Sequence, residues 1–222
     1  MPDLPADPVS PKQFMEEFVP EVMAAGRLAR VVGGADVKLG VRIEGEGGGE
    51  WLIRIREGAL SVDEGSREGA PLTIVQTVDD WRGALWEGRG GVFGAQAGAL
   101  FKGGGEAPED APSGPAAPGA ALPNAAAIEQ LGALDGLIQI VVTGGEGGDW
   151  RTGFKLGPGE IPAEPQTRLV ISSEDAIAMQ EGELDPMSAF LGGKIQVVGD
   201  VALMMQMQAI SMAAAAEGSR SD

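Results

Sequence analysis

Two stretches of this chain repeat one another in order and nearly in spacing. GEGGGEW (Gly45–Trp51) is matched by GGEGGDW (Gly144–Trp150), 99 residues later. PLTIVQTVDDWRGALWEG (Pro71–Gly88) is matched by PQTRLVISSEDAIAMQEG (Pro165–Gly182), 94 residues later. The difference of five between the offsets corresponds to a short deletion in the loop that joins the two motifs in the second copy. Ordered matches on both sides of one gap are hard to produce by chance. They constrain the fold to an α/β unit written twice. The weaker alternative is a pair of unrelated hairpins that share glycine turns.

Within the first unit, Ser10 can cap a helix and Pro11 suits its first turn. The predicted helix runs from Lys12 to Arg30 with Phe14, Phe18, Val22 and Leu28 as its apolar stripe, bent or split at Pro20. Val37–Glu44 and Glu50–Glu57 alternate apolar and polar residues around the turn Gly45–Gly49, a hairpin pattern. Further strands are predicted at Ala59–Asp63 and Leu72–Thr77, then a short helix at Val78–Glu87. Beyond it, the glycines of GRGGVFGAQAGALFKGG favour neither helix nor strand, so this end of the first unit reads as degenerate.

Residues 103–123, rich in Pro, Ala and Gly, read as a flexible linker and domain boundary. The pattern then restarts. Asn124 caps a helix to Leu134, strands follow at Leu137–Thr143 and Trp150–Leu156, and the unit closes with a strand at Lys194–Val198 and a helix from Val201 to about Ala216. The expected organisation is a terminus without fixed structure at 1–10, a degenerate unit at 11–102, the linker at 103–123, a better-preserved unit at 124–216, and a tail at 217–222.

Composition narrows the chemistry. The chain has no cysteine and no histidine, which removes thiol nucleophiles, Cys/His zinc sites and imidazole bases. A net charge of −17 argues against nucleic acid and against docking on an acidic membrane surface. MPDLPADPVS lacks the basic start and apolar run of a signal peptide, and no apolar stretch reaches the roughly 18 residues of a membrane span. A soluble cytoplasmic protein is expected. The glycine runs lie between antiparallel strands rather than between a strand and a helix, so they are not nucleotide loops. Glu181, Glu183 and Asp185 surround a helix boundary, where Asp185 before Pro186 reads as a cap rather than a metal ligand. No serine has a histidine to activate it. No enzyme, cofactor or metal is expected.

What remains is GELDPMSAFLGGKIQVVGDVALMMQMQAI, Gly182–Ile210. A short acidic helix turns into a strand that ends at Gly199-Asp200, and a methionine-rich helix follows. Methionine is flexible and polarizable, so such a helix suits an irregular apolar ligand as well as a plain core. Asp185-Pro186, Ala189-Phe190, Gly193-Lys194, the strand to Val198, Gly199-Asp200 and the Leu/Met helix together resemble the end of the sterol carrier protein 2 (SCP2) sterol-binding domain. The resemblance covers copy two from about Asn124 to Ala216, and copy one from Pro11 to about Gly88.

This resemblance implies an α+β fold, a largely antiparallel sheet covered by helices, present as two similar units. It also implies an apolar cavity, and non-enzymatic binding or transfer of a sterol, fatty acid or acyl-CoA. The lining residues it suggests are Phe190, Leu191, Ile195, Val197, Leu203, Met204 and Met207. The expected partner is therefore an apolar small molecule or lipid, with no nucleic acid and no stable membrane insertion. A filled pocket would instead make a structural or protein-interaction module. Whether two units pair edge to edge or helix face to helix face is left open at this level.

Overall fold

A computed structural model describes residues 4–24, 36–56, 59–99 and 125–218. The expected linker, the extreme termini and the end of the first predicted helix lie outside these residues.

Helix α1 runs from Pro11 to Ala24 in three parts: an α turn (Pro11–Gln13), a π segment (Phe14–Phe18) and an α segment (Val19–Ala24). The Ser10 hydroxyl caps it, accepting from the Gln13 amide at 3.1 Å. Pro20 has no N–H, and its ring collides with a regular helix carbonyl four residues back. Just before it, the Val19 N–H reaches back to the Phe14 carbonyl, five residues away, so the helix widens instead of breaking. Phe14, Met15, Phe18, Val19 and Val22 are buried. Leu4 and Val9 pack partly buried against the same core, and the Trp86 indole N–H donates to the Pro5 carbonyl at 2.7 Å.

Strands β1 (Val37–Glu44), β2 (Gly49–Arg56), β3 (Ala59–Glu64) and β4 (Leu72–Thr77) lead into helices α2 (Val78–Leu85) and α3 (Gly91–Ala99). Then come α4 (Ala125–Leu131), β5 (Gly136–Thr143), β6 (Trp150–Leu156), β7 (Thr167–Ser172), α5 (Ser173–Gln180), α6 (Pro186–Leu191), β8 (Gln196–Gly199) and α7 (Val201–Gly218). The eight strands among the described residues form one sheet in the order β3-β2-β1-β4-β6-β5-β7-β8. β1 with β4 and β5 with β7 are parallel; the other five pairs are antiparallel. The fold is thus a mixed α/β one, a largely antiparallel sheet covered by helices.

The arrangement β2-β1-β4 recurs as β6-β5-β7. In each, the parallel pairing ends at the residue that caps the next helix, Glu44 beside Thr77 and Thr143 beside Ser172. Thr77 and Ser172 then accept from the amides of Asp80 and Asp175 at 3.0 and 3.1 Å, and donate to the same carboxylates. The halves meet edge to edge: β4 pairs with β6 from Leu72↔Leu156 to Val75↔Gly153. β3 lies outside β2, whereas the equivalent place beside β6 is taken by β4. β8 lies outside β7, whereas the equivalent place beside β4 is taken by β6.

One face of the sheet carries a continuous apolar core across both halves, including Ile43, Trp51, Ile55, Leu72, Ile138, Ile140, Val142, Trp150, Leu156, Leu169 and Ile171. Trp81, within α2, and Trp86, at its C-terminal cap, both stack edge-on against Phe14, at 5.3 and 5.9 Å. The glycine-rich GRGG segment is ordered for a physical reason. Gly90 and Gly91 have φ of +88° and +52°. A Cβ at Gly90 would come within 2.7 Å of the Trp150 ring, and one at Gly91 within 2.7 Å of Ala176. These glycines let α3 of the first half close on α5 of the second.

The seam is also held by polar contacts. The Trp150 indole N–H donates to the Asp80 carbonyl at 2.7 Å, and the Arg151 amide to the Asp80 carboxylate at 2.9 Å. Arg89 reaches the Asp149 carbonyl at 3.1 Å while pairing with Asp79 at 2.8 Å. Among the described residues, the opposite face of the sheet carries no such helical layer. It is covered in its middle by the loops that precede β4 and β7, where Arg67 donates to the Gly159 carbonyl at 2.5 Å.

Candidate functional site

The expected ligand segment is built by local rules. The Asp185 carboxylate accepts from the Ser188 amide at 2.9 Å, and Pro186 occupies the first turn of α6. The chain reverses through Gly192 and Gly193, the latter at φ +72°, so that the amides of Lys194 and Ile195 both reach the Ala189 carbonyl, at 2.9 and 3.2 Å. β8 pairs along β7, and Gly199, at φ +104°, turns it into α7. Only glycine fits there, because a Cβ would lie 2.0 Å from the Gln166 carbonyl oxygen. The Asp200 carboxylate caps α7, accepting from the Ala202 amide at 2.8 Å. Its own backbone is pinned on both sides: its amide donates to Gln166, and its carbonyl accepts from the Thr167 hydroxyl at 2.6 Å.

This scaffold sets the seven expected lining residues apart. Ile195, Leu203, Met204 and Met207 are buried in the common core, and Val197 is half-buried on the same face as Leu169. Phe190 and Leu191 point outward, 44% and 77% exposed. They belong to a larger group: the exposed large hydrophobics among the described residues are Ile177, Met187, Phe190, Leu191, Val198, Val201 and Met205, all from α5, α6, β8 and the start of α7. Buried methionines thus lie on the inner side of α7, and the exposed apolar side chains come from α5, α6 and α7 itself, with Val198 turned to the other face of the sheet. Lys194 forms an ion pair with Asp175 at the base of α6; that pair, with the Ser172 hydroxyl, holds the Asp175 carboxyl below its ordinary range.

A second place is better enclosed. On the helix-free face, a cleft of about 410 Å³ crosses the seam, with none of the seven expected residues on its wall. Val75, Gly153, Leu137 and Gln139, from β4, β6 and β5, form its floor, and Ile161, Pro162, Ala163 and Pro165, from the loop before β7, form its roof. Arg42, Glu44, Glu50, Arg67, Asp80 and Arg151 supply its charge. The alternation of β1 and β2 turns Arg42 and Glu50 to this face opposite one another, 3.2 Å apart, and Arg67 joins the same carboxylate at 3.3 Å. The sequence signal for these residues was the polar half of each alternating strand. Their enclosure depends on a loop more than a hundred residues from Arg42, which alternation cannot reveal.

Next to the cleft, Lys155 is buried to 1% exposure. Its ammonium donates to the Leu156 carbonyl at 2.7 Å and to Asp135 at 2.8 Å, with the carbonyls of Gly157 and Pro158 at 3.3 Å. This network sets the start of the roof loop. Among the described residues no group of three or more His, Cys, Asp or Glu side chains is arranged to hold a metal ion, and no helix is long and apolar enough to cross a membrane.

Residues 120–211 match the model of the SCP-2 sterol transfer family. Hydroxysteroid dehydrogenase-like protein 2 of Xenopus tropicalis is 32% identical over 87 residues, which are 37% of this chain and 21% of that protein. Sterol carrier protein 2 of Rattus norvegicus is 26% identical over 86 residues, 36% of this chain and 16% of that protein. The chain thus spans only 21% and 16% of the length of these curated relatives. Among solved structures, the sterol carrier protein domain 2 of Helicoverpa armigera aligns with a TM-score of 0.28 and 25% identity, over 39% of this chain and 73% of that one. Sterol carrier protein 2 like 2 of Aedes aegypti aligns with a TM-score of 0.26 and 21% identity, over 36% and 84%. The C-terminal region, from about residue 120 to 211, is thus similar to the SCP-2 sterol transfer family.

Proposed function

We propose that this protein binds, and passes on, a lipid or another apolar small molecule such as a sterol, fatty acid or acyl-CoA, without chemical change. The site is the helix side of the C-terminal half, with Phe190, Leu191, Ile195, Val197, Leu203, Met204 and Met207 as its contacts. The observation that carries this reading is the distribution of apolar side chains around α6 and α7: exposed ones outside, methionines beneath. A chain of net charge −17 has ample polar surface, yet it leaves Leu191 at 77% and Met205 at 61% exposure in this one region. Apolar area removed from water contributes about 25 cal/mol per Å², and flexible methionines can repack around an inserted chain at low cost. α6 and the start of α7 are then the entrance, and Leu203, Met204 and Met207 the part of the wall that a ligand displaces.

In this reading the N-terminal half is a diverged copy of the C-terminal unit. The recurrence of β2-β1-β4 as β6-β5-β7 and the paired caps at Thr77 and Ser172 support it. Its role is to support the sheet rather than to hold ligand, and the place of action is the cytoplasm. A second reading takes the same exposed side chains as a contact for another protein, with the interior filled by its own methionines.

Native mass spectrometry of gently purified protein, followed by extraction of bound species, tests the first reading. Recovery of acyl chains or sterols is expected, and Met207→Glu is expected to weaken their rebinding while the circular dichroism spectrum is retained. Protein that stays empty after incubation with both sterols and fatty acids would sink the carrier reading and leave the second.

A further inference from the structure

We propose that the cleft on the helix-free face is a separate binding site for a small zwitterion with an apolar body, in chemical class an apolar α-amino acid. Its volume of about 410 Å³ lies within the ordinary range of small-molecule sites, roughly 300–1,000 Å³. Gly153 carries no side chain, and Val75 and Leu137 close over it, each 3.2 Å from where a Cβ would stand, so the floor is one apolar surface. Ile161, Pro162 and Pro165 give the roof a second one. The charges on the wall balance: the guanidiniums of Arg42, Arg67 and Arg151 stand against the carboxylates of Glu44, Glu50 and Asp80. A cleft so lined offers no net attraction to an anion or to a cation. What it selects depends on which of these groups are left open.

Most of them are committed. Arg67 donates to Glu50 at 3.3 Å and to the Gly159 carbonyl at 2.5 Å. Asp80 is buried and accepts from the Thr77 hydroxyl at 2.7 Å and the Arg151 amide at 2.9 Å. The Arg151 guanidinium turns to Asp149, outside the cleft, at 3.1 Å. Arg42 meets Glu50 through Nη1 alone, at 3.2 Å, so its charge is compensated while the N–H groups on Nε and Nη2 have no acceptor among the described residues. Glu44 is exposed and has no hydrogen-bond or ion-pair partner among the described residues. One set of donors and one set of acceptors therefore stay open, two residues apart on the same face of β1, a spacing of about 7 Å. A guanidinium fork matches a carboxylate, and a carboxylate accepts from an ammonium. An α-amino acid carries both groups on one carbon, which leaves its side chain to lie between floor and roof. A monoanion gains at Arg42 and is repelled at Glu44, and a monocation does the reverse. A dipolar ligand gains at both ends. The polar wall comes from the first half and much of the floor from the second, so this site exists only because β4 and β6 are joined.

The test is a ¹H–¹⁵N titration of the full chain, at about pH 6, with L-phenylalanine, its N-acetyl derivative and its carboxamide. At that pH an α-amino group, with an ordinary pKa of about 7.7–8.0, is protonated and carboxylates are ionised. The three probes are then a zwitterion, an anion and a cation with one apolar body. Saturable shifts are expected at the amides of Gln139, Gly153 and Ala163 with phenylalanine. Each derivative should bind about tenfold more weakly, the ratio for losing one charge-assisted pair. Glu44→Gln should abolish the preference over the N-acetyl anion, and Arg42→Gln the preference over the carboxamide cation. Ala163→Trp, at an exposed roof position, should abolish binding of all three by filling the cleft without touching its charges. Leu191→Ser, on the helix side, should leave all three affinities unchanged, which separates the two sites. Equal or tighter binding of either derivative, absence of any saturable shift, shifts confined to residues 186–210, binding retained in Ala163→Trp, or preferences that survive both charge variants would each overturn the proposal.

Discussion

Lys155→Met separates a buried network from the ion pair that accompanies it. The two partners differ in setting: the Lys155 side chain is 1% exposed and that of Asp135 is 89% exposed. Methionine keeps the length and the apolar stem and removes only the ammonium. What is lost is the charged donor to the Leu156 carbonyl at 2.7 Å and the longer contacts to Gly157 and Pro158, besides Asp135. A hydrogen bond from a charged group contributes about 1.5–3 kcal/mol net, and a buried carbonyl left without a partner costs about 1–3 kcal/mol. Relief from holding an ammonium out of water offsets part of this. A loss of about 2–3 kcal/mol is expected, or roughly 4–12 °C in Tm for a chain of this size. Asp135→Asn should be far milder, because water replaces an exposed carboxylate. Urea unfolding followed by tryptophan fluorescence measures both, with Trp51 and Trp150 buried as reporters. If Lys155→Met costs no more than Asp135→Asn, the buried carbonyl network is not what stabilises the roof loop.

The paired helix caps give a second comparison. Thr77→Ala and Ser172→Ala should each cost about 1 kcal/mol, with Thr77→Ala the larger because Asp80, which it orients, is buried and also holds the Arg151 amide across the seam; equal effects in denaturant unfolding would argue against that link. Acid should weaken the fold through three carboxyls. Lys12 lowers Glu16, Lys155 lowers Asp135, and Lys194, with Ser172, lowers Asp175. A carboxyl depressed in the folded state adds stability above its unfolded pKa, near 4, and that stability is lost as pH falls through the lower folded value. Lys194→Met should therefore flatten the fall in unfolding free energy below about pH 4; an unchanged slope would show that the Lys194–Asp175 pair carries none of it.

Much of the fold was legible because alternation and glycine turns are local. Val37–Glu44, Leu72–Thr77, Leu137–Thr143 and Trp150–Leu156 occur as the pattern predicts, and Asp185 caps α6 as its position before Pro186 suggests. Where the sequence misled, a distant contact decided. Gly90 and Gly91 weaken a helix in isolation, but here they permit the approach of Trp150 and Ala176, so α3 forms. Pro20 was expected to bend or split its helix; the π segment absorbs it. The Leu/Met periodicity of α7 predicts one apolar face at Leu203, Met207 and Ile210 with Met204 and Met205 beside it; Leu203, Met204 and Met207 are buried and Met205 is exposed, while Phe190 and Leu191 lie outside, since α6 buries Ala189 instead. The cleft was hidden because its walls come from β1, β4, β5, β6 and a late loop, brought together only by pairing across the seam.

That seam has a consequence for how the molecule can be taken apart. Edge pairing leaves this sheet with two outer strands, β3 and β8, where separate halves would have four. Cutting the molecule into its halves uncovers β4 and β6 together, along with Trp150 and the groups that Asp80 holds. Each fragment would then carry an unprotected strand ready to pair with any other. In assembly terms the protein is a heterodimer carried on one polypeptide, whose covalent connection serves to keep two mutually dependent subunits at high local concentration.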